Sequence, residues 1–361
     1  VSTSVVLVRG RQANAWELAS WQALDPRFEV KAVIAPNNLY PTDEIRCEAI
    51  PVRTLSSMAG PAITKLVGER FIGLRPHLSG ADIVHSAEIA SWMSAQAARA
   101  KRRLGYKLVV TVWETLPLLR TGRNLRTRRH LPRVLDAADL LLATTERARR
   151  ALLLEGADPE RIMVCSPGVA QRKRTPRSSE PGPTSHVVLS VGRLVWEKGH
   201  QDVLRGLALL GRTDVLLRIV GDGPERRRLE RLAHELGIES QVDLLGSVPH
   251  RDMAALYDQA SCLVLASLTT RTWEEQFGMV LIEAMAAGLP IVASASGAIP
   301  EVLRGCGALF PPGDWPTLAT LLGDVLSGRP GGRVEHPREV VAHYSIEAAA
   351  RRIAAAYERV L

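Results

Sequence analysis

Short runs of Val, Ile and Leu, each followed by a stretch with helical spacing, set the strongest limit on what this chain can fold into. In the first half they are Val5–Val8, Val30–Ile34, Asp82–His85, Lys107–Thr111, Leu140–Ala143 and Ile162–Cys165. A polar stretch broken by Pro176, Pro181 and Pro183 follows, and the rhythm then restarts with His186–Val191, Val215–Val220, Gln241–Leu245, Cys262–Ala266 and Pro290–Ala293. Strands alternating with helices in this way form parallel sheets wrapped by helices. The expected fold is therefore α/β, with two doubly wound Rossmann-like domains facing each other across a cleft. The expected boundaries are a first domain at 1–170, a linker at 171–184, a second domain at 185–343 and a C-terminal helix at 344–361. That helix carries Ile346, Ile353, Tyr357 and Val360 on roughly one face, with Ser345 placed as its N-cap.

Composition narrows the class. A chain of 361 residues, 46% apolar and 23% charged, is long enough for two cores without metal or disulfide staples. Cys47, Cys165, Cys262 and Cys306 are scattered, with no metal-ligand spacing, and read as reduced thiols of a cytoplasmic protein. No apolar window is long enough to span a bilayer, and the start Val1–Arg9 is too short for a signal peptide. The net charge of +8 is concentrated in Arg99–Lys107 and in Arg120–Arg133, which favours anionic partners. Aromatic residues are only 4% and no nucleic-acid motif occurs, so a nucleic-acid partner is not expected.

Ligands of doubly wound sheets bind beyond the carboxyl ends of the strands, so the loops after the apolar runs are where chemistry is to be sought. In the loop Ser190–Gly199, Arg193 and Lys198 read either as solvated surface charge or as a clamp on a diphosphate, Arg giving a fork and Lys a point charge. Gly221-Asp-Gly-Pro224 lacks the third glycine of a dinucleotide fingerprint, since Arg226 stands there, and reads as a tight turn. In Trp273–Pro290, Glu283 sits inside a run that is otherwise apolar from Met279 to Ala287. A carboxylate there needs a structural partner such as an Arg, a position at the helix edge, or a ligand with hydroxyl groups. A helix starting near Phe277 would aim the amides of Phe277, Gly278 and Met279 at an anion, with Glu275 just before it.

Together Gly192-Arg-(four residues)-Lys-Gly199, Gly221-Asp-Gly-Pro224, Leu245-Gly-Ser-Val248 and Glu275-(seven residues)-Glu283, the last followed by Ala-Met-Ala-Ala-Gly-Leu-Pro290, resemble the donor half of the retaining family-four glycosyltransferases of the GT-B fold. The resemblance implies that Arg193 and Lys198 hold the diphosphate of a nucleotide-sugar donor and that Glu283 binds its ribose. It implies that Glu275 takes hydroxyls of the transferred sugar, that the Phe277, Gly278 and Met279 amides lie near sugar and phosphates, and that the base rests against backbone around Leu245 and Gly246. It further implies retention by front-face attack, with no resident metal or cofactor and a sugar or lipid-linked acceptor, and a C-terminal helix at 344–361 that crosses back to cover the first domain.

The first half departs from that pattern. His85 closes one apolar run, but the Thr-x-His usual in the next strand is Thr111-Val-Trp113, followed by Glu114. Trp113 can pack on a sugar face and Glu114 can accept from hydroxyls, or both can be structural. His85 reads as a satisfied core residue or a catalytic one, and Glu88 is a further acceptor-side candidate. A nucleotide-sugar-binding protein without turnover is the alternative function. Binding of Arg120–Arg133 to an anionic membrane surface, at the inner face, is a further expectation.

Overall fold

The computed structural model describes residues 2–58, 68–118, 125–171, 186–329 and 336–361, with the backbone alone within 125–129. The linker expected at 171–184 lies outside these residues except for Gln171. The chain divides into two compact units, Val1–Val169 with Tyr344–Leu361, and Ala170–His343.

The first unit is built on strands β1 (Thr3–Gly10), β2 (Phe28–Ile34), β3 (Glu48–Pro51), β4 (Ile83–Ala87), β5 (Lys107–Val112), β6 (Leu140–Ala143) and β7 (Ile162–Val164), in the order β3-β2-β1-β4-β5-β6-β7. Every described pairing in it is parallel. Period-two alternation divides β1 between two cores: Val6 and Val8 join one with Val84, Leu108 and Val110, while Val5 and Leu7 join the other with Ile83 and Val109. The second core is closed by Leu18 and Trp21 of the Ala15–Gln22 helix and by Ile353, Ala356 and Tyr357 of the Ile346–Val360 helix. Ser345 caps that last helix by accepting from the Ala348 amide, so its entry is fixed by sequence, and its small alanines let it lie close to the sheet.

The second unit has strands β8 (His186–Val191), β9 (Val215–Val220), β10 (Val242–Gly246), β11 (Cys262–Leu265), β12 (Ile291–Ser294) and β13 (Ala308–Phe310), in the order β10-β9-β8-β11-β12-β13. Both sheets contain one strand the sequence pattern does not announce, and the reason is the same. β3 and β13 are short edge strands of four and three residues, each partly exposed, so neither gives an apolar run long enough to stand out.

In each sheet the chain changes direction of growth next to the first strand: between β1 and β4 in the first unit and between β8 and β11 in the second. Connections leave such a pair of strands on opposite faces and open a crevice at their carboxyl ends. The loops that follow β8 and β11 carry Gly192–Gly199 and Ser267–Gly278.

Candidate active site

The loop after β8 is held by backbone. The Gly192 and Leu194 amides donate to Val220 and Asp222 at 2.9 Å each, and the Leu268 amide donates to Glu197 at 2.8 Å. Two glycines make this approach possible. A Cβ on Gly221 (φ +137°) would lie 2.0 Å from the Gly192 oxygen, and one on Gly199 (φ +71°) would lie 1.8 Å from the Ala266 oxygen. The Gly221–Gly223 turn thus serves loop-on-loop packing, and it seats the Gly192–Lys198 segment between the ends of β9 and β11.

Within that frame Lys198 and Glu275 meet, 77 residues apart in sequence. Lys198 Nζ donates to Glu275 Oε2 at 2.7 Å, and the Ser267 hydroxyl donates to the same oxygen at 2.6 Å. The side chains of Lys198 and Glu275 are only 17% and 8% exposed, and Nζ also stands 5.4 Å from the centre of the Trp273 ring. The Glu275 backbone is equally fixed, its carbonyl accepting from the Ala298 amide at 2.8 Å. Arg193, by contrast, is exposed. Behind the loop His200 is buried, with Nδ1 3.0 Å from the Ser190 hydroxyl; burial holds its pKa down at about 4, so it is neutral.

The following helix is Met279–Ala286, which begins four residues after Glu275, with Gly278 as a left-handed N-cap (φ +81°). It begins two residues after the start expected at Phe277. The left-handed backbone of Gly278 stops the helix from extending backward, and Phe277 is a buried loop residue, 2% exposed. The amides left without intrahelical acceptors therefore begin at Met279. Glu283 lies on this helix with its side chain 14% exposed. Its Oε2 accepts from the Tyr257 hydroxyl at 2.6 Å, and Oε1 stands 3.9 Å from His250 Nδ1. Burial raises its pKa, against the lowering effect of Tyr257 and of His250. A tyrosine and a histidine thus stand where an Arg was one expectation. Gly246, at the end of β10 with φ +74°, accepts from the Gly221 amide at 2.8 Å and so joins this group of loops.

The candidates of the first unit are arranged differently. His85 on β4 is fully buried, with Nδ1 2.7 Å from the Tyr357 hydroxyl and Nε2 2.7 Å from Thr111 Oγ1, and Trp21 Nε1 donates to the same tyrosine at 2.9 Å. Burial first, and Arg9 second, push its pKa well below the ordinary range. Both ring nitrogens being engaged inside the core, the geometry favours the core reading of His85 over the catalytic one. Glu88, at φ +65°, accepts from the Trp113 amide at 3.0 Å, and Glu114 accepts from the Thr115 and Leu116 amides at 3.1 Å each. Both carboxylates, with Glu155, line one small cavity whose other walls include Val112, Leu116 and Leu131.

Sequence reasoning did not single out Ser267, Tyr257, His250 or His200. Ser267 stands two residues after β11, where the strand-end rule points; Tyr257 and His250 carry no local signal, because they meet Glu283 from another part of the chain, and His200 is marked only by its burial.

Comparison with known proteins joins these two halves. Residues 171–344 match the model for glycosyl transferases group 1, and residues 10–168 match the model for a glycosyl transferase 4-like domain. The chain is 35% identical over 247 residues to the D-inositol 3-phosphate glycosyltransferase of Mycobacterium tuberculosis, an alignment covering 62% of this chain and 49% of the relative. It thus spans about half the length of the curated relatives it matches. Among solved structures, it is similar to Anabaena Alr3699/HepE in complex with UDP and glucose (TM-score 0.78, 18% identity, 99% of this chain and 100% of that one). It is also similar to sucrose-phosphate synthase from Thermosynechococcus elongatus (TM-score 0.74, 20% identity, 99% and 98%). With one glycosyltransferase model on each half and two parallel-sheet α/β units of the kind those structures share, the chain belongs to the family-four glycosyltransferases of the GT-B fold.

Proposed function

We propose that this protein transfers a glycosyl unit from a nucleoside diphosphate sugar to a glycan, lipid-linked or small-molecule acceptor, with retention of anomeric configuration. The observation that carries the reading is the convergence of Lys198, Glu275 and Ser267 at the switch point of the second sheet, beside the Met279–Ala286 helix. Arg193 and Lys198 meet the diphosphate, the Met279 end of the helix faces sugar and phosphate, Glu275 offers its carboxylate to sugar hydroxyls, and Glu283 holds the ribose. The base rests near Gly246. As the bond to the leaving diphosphate breaks, charge grows on its oxygens, and fixed cations and amides stabilise that charge without reorganising. In front-face attack the acceptor oxygen enters on the side the diphosphate leaves, so no enzyme nucleophile and no resident cofactor is assigned. Trp113, Glu114 and Glu88 are assigned to the acceptor.

A thermal-shift panel of UDP, GDP, ADP and dTDP sugars tests the donor site, because a ligand that binds only the folded chain raises its apparent stability by mass action. Transfer from the stabilising donor to water or acceptor, with the product's anomeric configuration read by NMR, then separates an enzyme from a binding protein. No shift with any nucleotide sugar would overturn the reading; a shift without turnover would leave the binding protein.

The same proposal places the enzyme at the inner membrane face through Arg120–Arg133. Arg120 and Arg123 lie outside the described residues, as do the side chains of Arg126, Arg128 and Arg129, while Arg133 is exposed on the Leu125–Ala137 helix. The reading rests on the sequence cluster, since a basic residue near an anionic surface gains about 1 kcal/mol. Sedimentation with anionic vesicles that falls with salt, and is lost when Arg123, Arg126, Arg128 and Arg129 become Ser, is the expected result; no binding at low salt would contradict it.

A further inference from the structure

The ion pair between Lys198 and Glu275 has a consequence beyond holding a donor. Lys198 is the half-buried cation assigned to the diphosphate, yet its charge is already met by a carboxylate at 2.7 Å, and that carboxylate is pinned through the same oxygen by Ser267. A diphosphate entering here encounters Glu275 as a fixed negative charge next to the cation it needs. In a site shielded this far from water, like charges at close range oppose one another more strongly than in bulk solvent. The second oxygen of Glu275, Oε1, takes part in neither of these bonds. A sugar hydroxyl can donate to it, and the cost of bringing phosphate beside the carboxylate is then offset by a charge-assisted hydrogen bond. A spent nucleoside diphosphate has no sugar and gains nothing from Oε1.

We infer that Glu275, locked to Lys198 and Ser267, discriminates against the sugar-free nucleoside diphosphate and so promotes release of the leaving product. The inference rests on the donor-site reading above and deepens it: one carboxylate both recognises the sugar and keeps the product from occupying the clamp. Glu274 is also buried, at 2% exposure, but it takes no part in this pair. Ser267 acts through Glu275 as a positioning residue, because it anchors the oxygen that Lys198 shares.

The test compares the parent protein, Glu275→Gln and Ser267→Ala by calorimetric titration with UDP and UDP-glucose, and with GDP and GDP-mannose, after thermal melts have shown that each variant is folded. Glutamine keeps the size and one hydrogen-bond acceptor while removing the charge. For the nucleotide pair the parent binds, Glu275→Gln should bind the sugar-free diphosphate about tenfold more tightly, the lower end for a close charge pair. It should bind the nucleotide sugar no more tightly than the parent does, so the ratio of the two dissociation constants inverts or collapses. Ser267→Ala should move the same ratio in the same direction by a smaller factor, and it keeps the test decisive if Glu275→Gln does not fold. In steady state, inhibition by the sugar-free diphosphate should strengthen in both variants. Weaker or unchanged binding of the sugar-free diphosphate in the folded variants would overturn the inference while leaving the donor site intact. Failure of the parent to bind any of the four nucleotides would overturn the donor-site reading and this inference with it.

Discussion

The two units anchor their carboxylates through different groups. In the second, Glu275 and Glu283 are met by side chains: Lys198 and Ser267 for one, Tyr257 and His250 for the other. In the first, Glu88 and Glu114 accept from backbone amides, Trp113 for one and Thr115 with Leu116 for the other. A carboxylate held by other side chains can exchange partners with a ligand, because those partners can turn to it. A carboxylate that holds loop backbone gives up that backbone contact when it does so. Side-chain pairing thus fixes Glu275 and Glu283 in the second unit, while Glu88 and Glu114 in the first hold the backbone of the loop after β5.

The largest effect should come from breaking the tertiary pairing. Lys198→Ala removes the cation expected to meet the growing charge on the diphosphate, and kcat/KM should fall by about 3 kcal/mol, or over a hundredfold. A variant with a near-normal rate would move the clamp elsewhere and erase the contrast between the units.

The next concerns buried histidine. His200 is neutral in the fold, with a pKa of about 4 against an ordinary 6.5, so between these values the unfolded chain binds the extra proton and the folded one does not. Stability is therefore full above pH 6.5 and is lost as pH falls toward 4, by about 3 kcal/mol from this group alone. Urea unfolding as a function of pH should show that loss, reduced in His200→Asn; an acid limb unchanged by the substitution would assign the titration to other groups. His85, whose pKa is also depressed by burial and by Arg9, contributes in the same direction.

Tyr357→Phe sharpens the assignment of His85 to structure. It strips a hydroxyl that faces both His85 and Trp21, leaving two buried polar groups to find new partners, at about 2 kcal/mol in urea unfolding. Donor binding should be unchanged. A loss of turnover far larger than the loss of stability would instead return His85 to the chemistry.

How much of this could be read from sequence follows from the same contrast. The alternation of apolar runs with helical stretches announces both parallel sheets, and the strand-end rule leads to Lys198 and Glu275, because these signals are local in sequence. The Lys198–Glu275 bond joins residues 77 apart, and Tyr257 reaches Glu283 from a separate helix, so neither contact has a local signature. The start of the helix at Met279 was missed for a conformational reason, the left-handed backbone of Gly278. His85 ends its apolar run in the sequence, but the strand continues to Ala87, so His85 lies mid-strand on a buried sheet face, where Tyr357, 272 residues away, meets it.

The smallest expected effect tests the first unit. Glu114→Gln keeps an acceptor for the Thr115 and Leu116 amides, so the fold and donor affinity should hold, and transfer should drop by about 1 kcal/mol, or roughly fivefold, if the carboxylate also meets the acceptor. Normal transfer would leave Glu114 a loop cap only.

The central claim, that the loops of the second sheet hold a nucleoside diphosphate sugar with Glu283 on its ribose, is tested most directly by a cycle in which the ligand supplies the second change. Binding of the preferred nucleotide sugar and of its 2′,3′-dideoxyribose analogue is measured for the parent and for Glu283→Gln. The account predicts that the substitution weakens the ribose ligand and costs little more once the hydroxyls are absent. Equal penalties for the two ligands would contradict it and would leave Glu283 a structural partner of Tyr257.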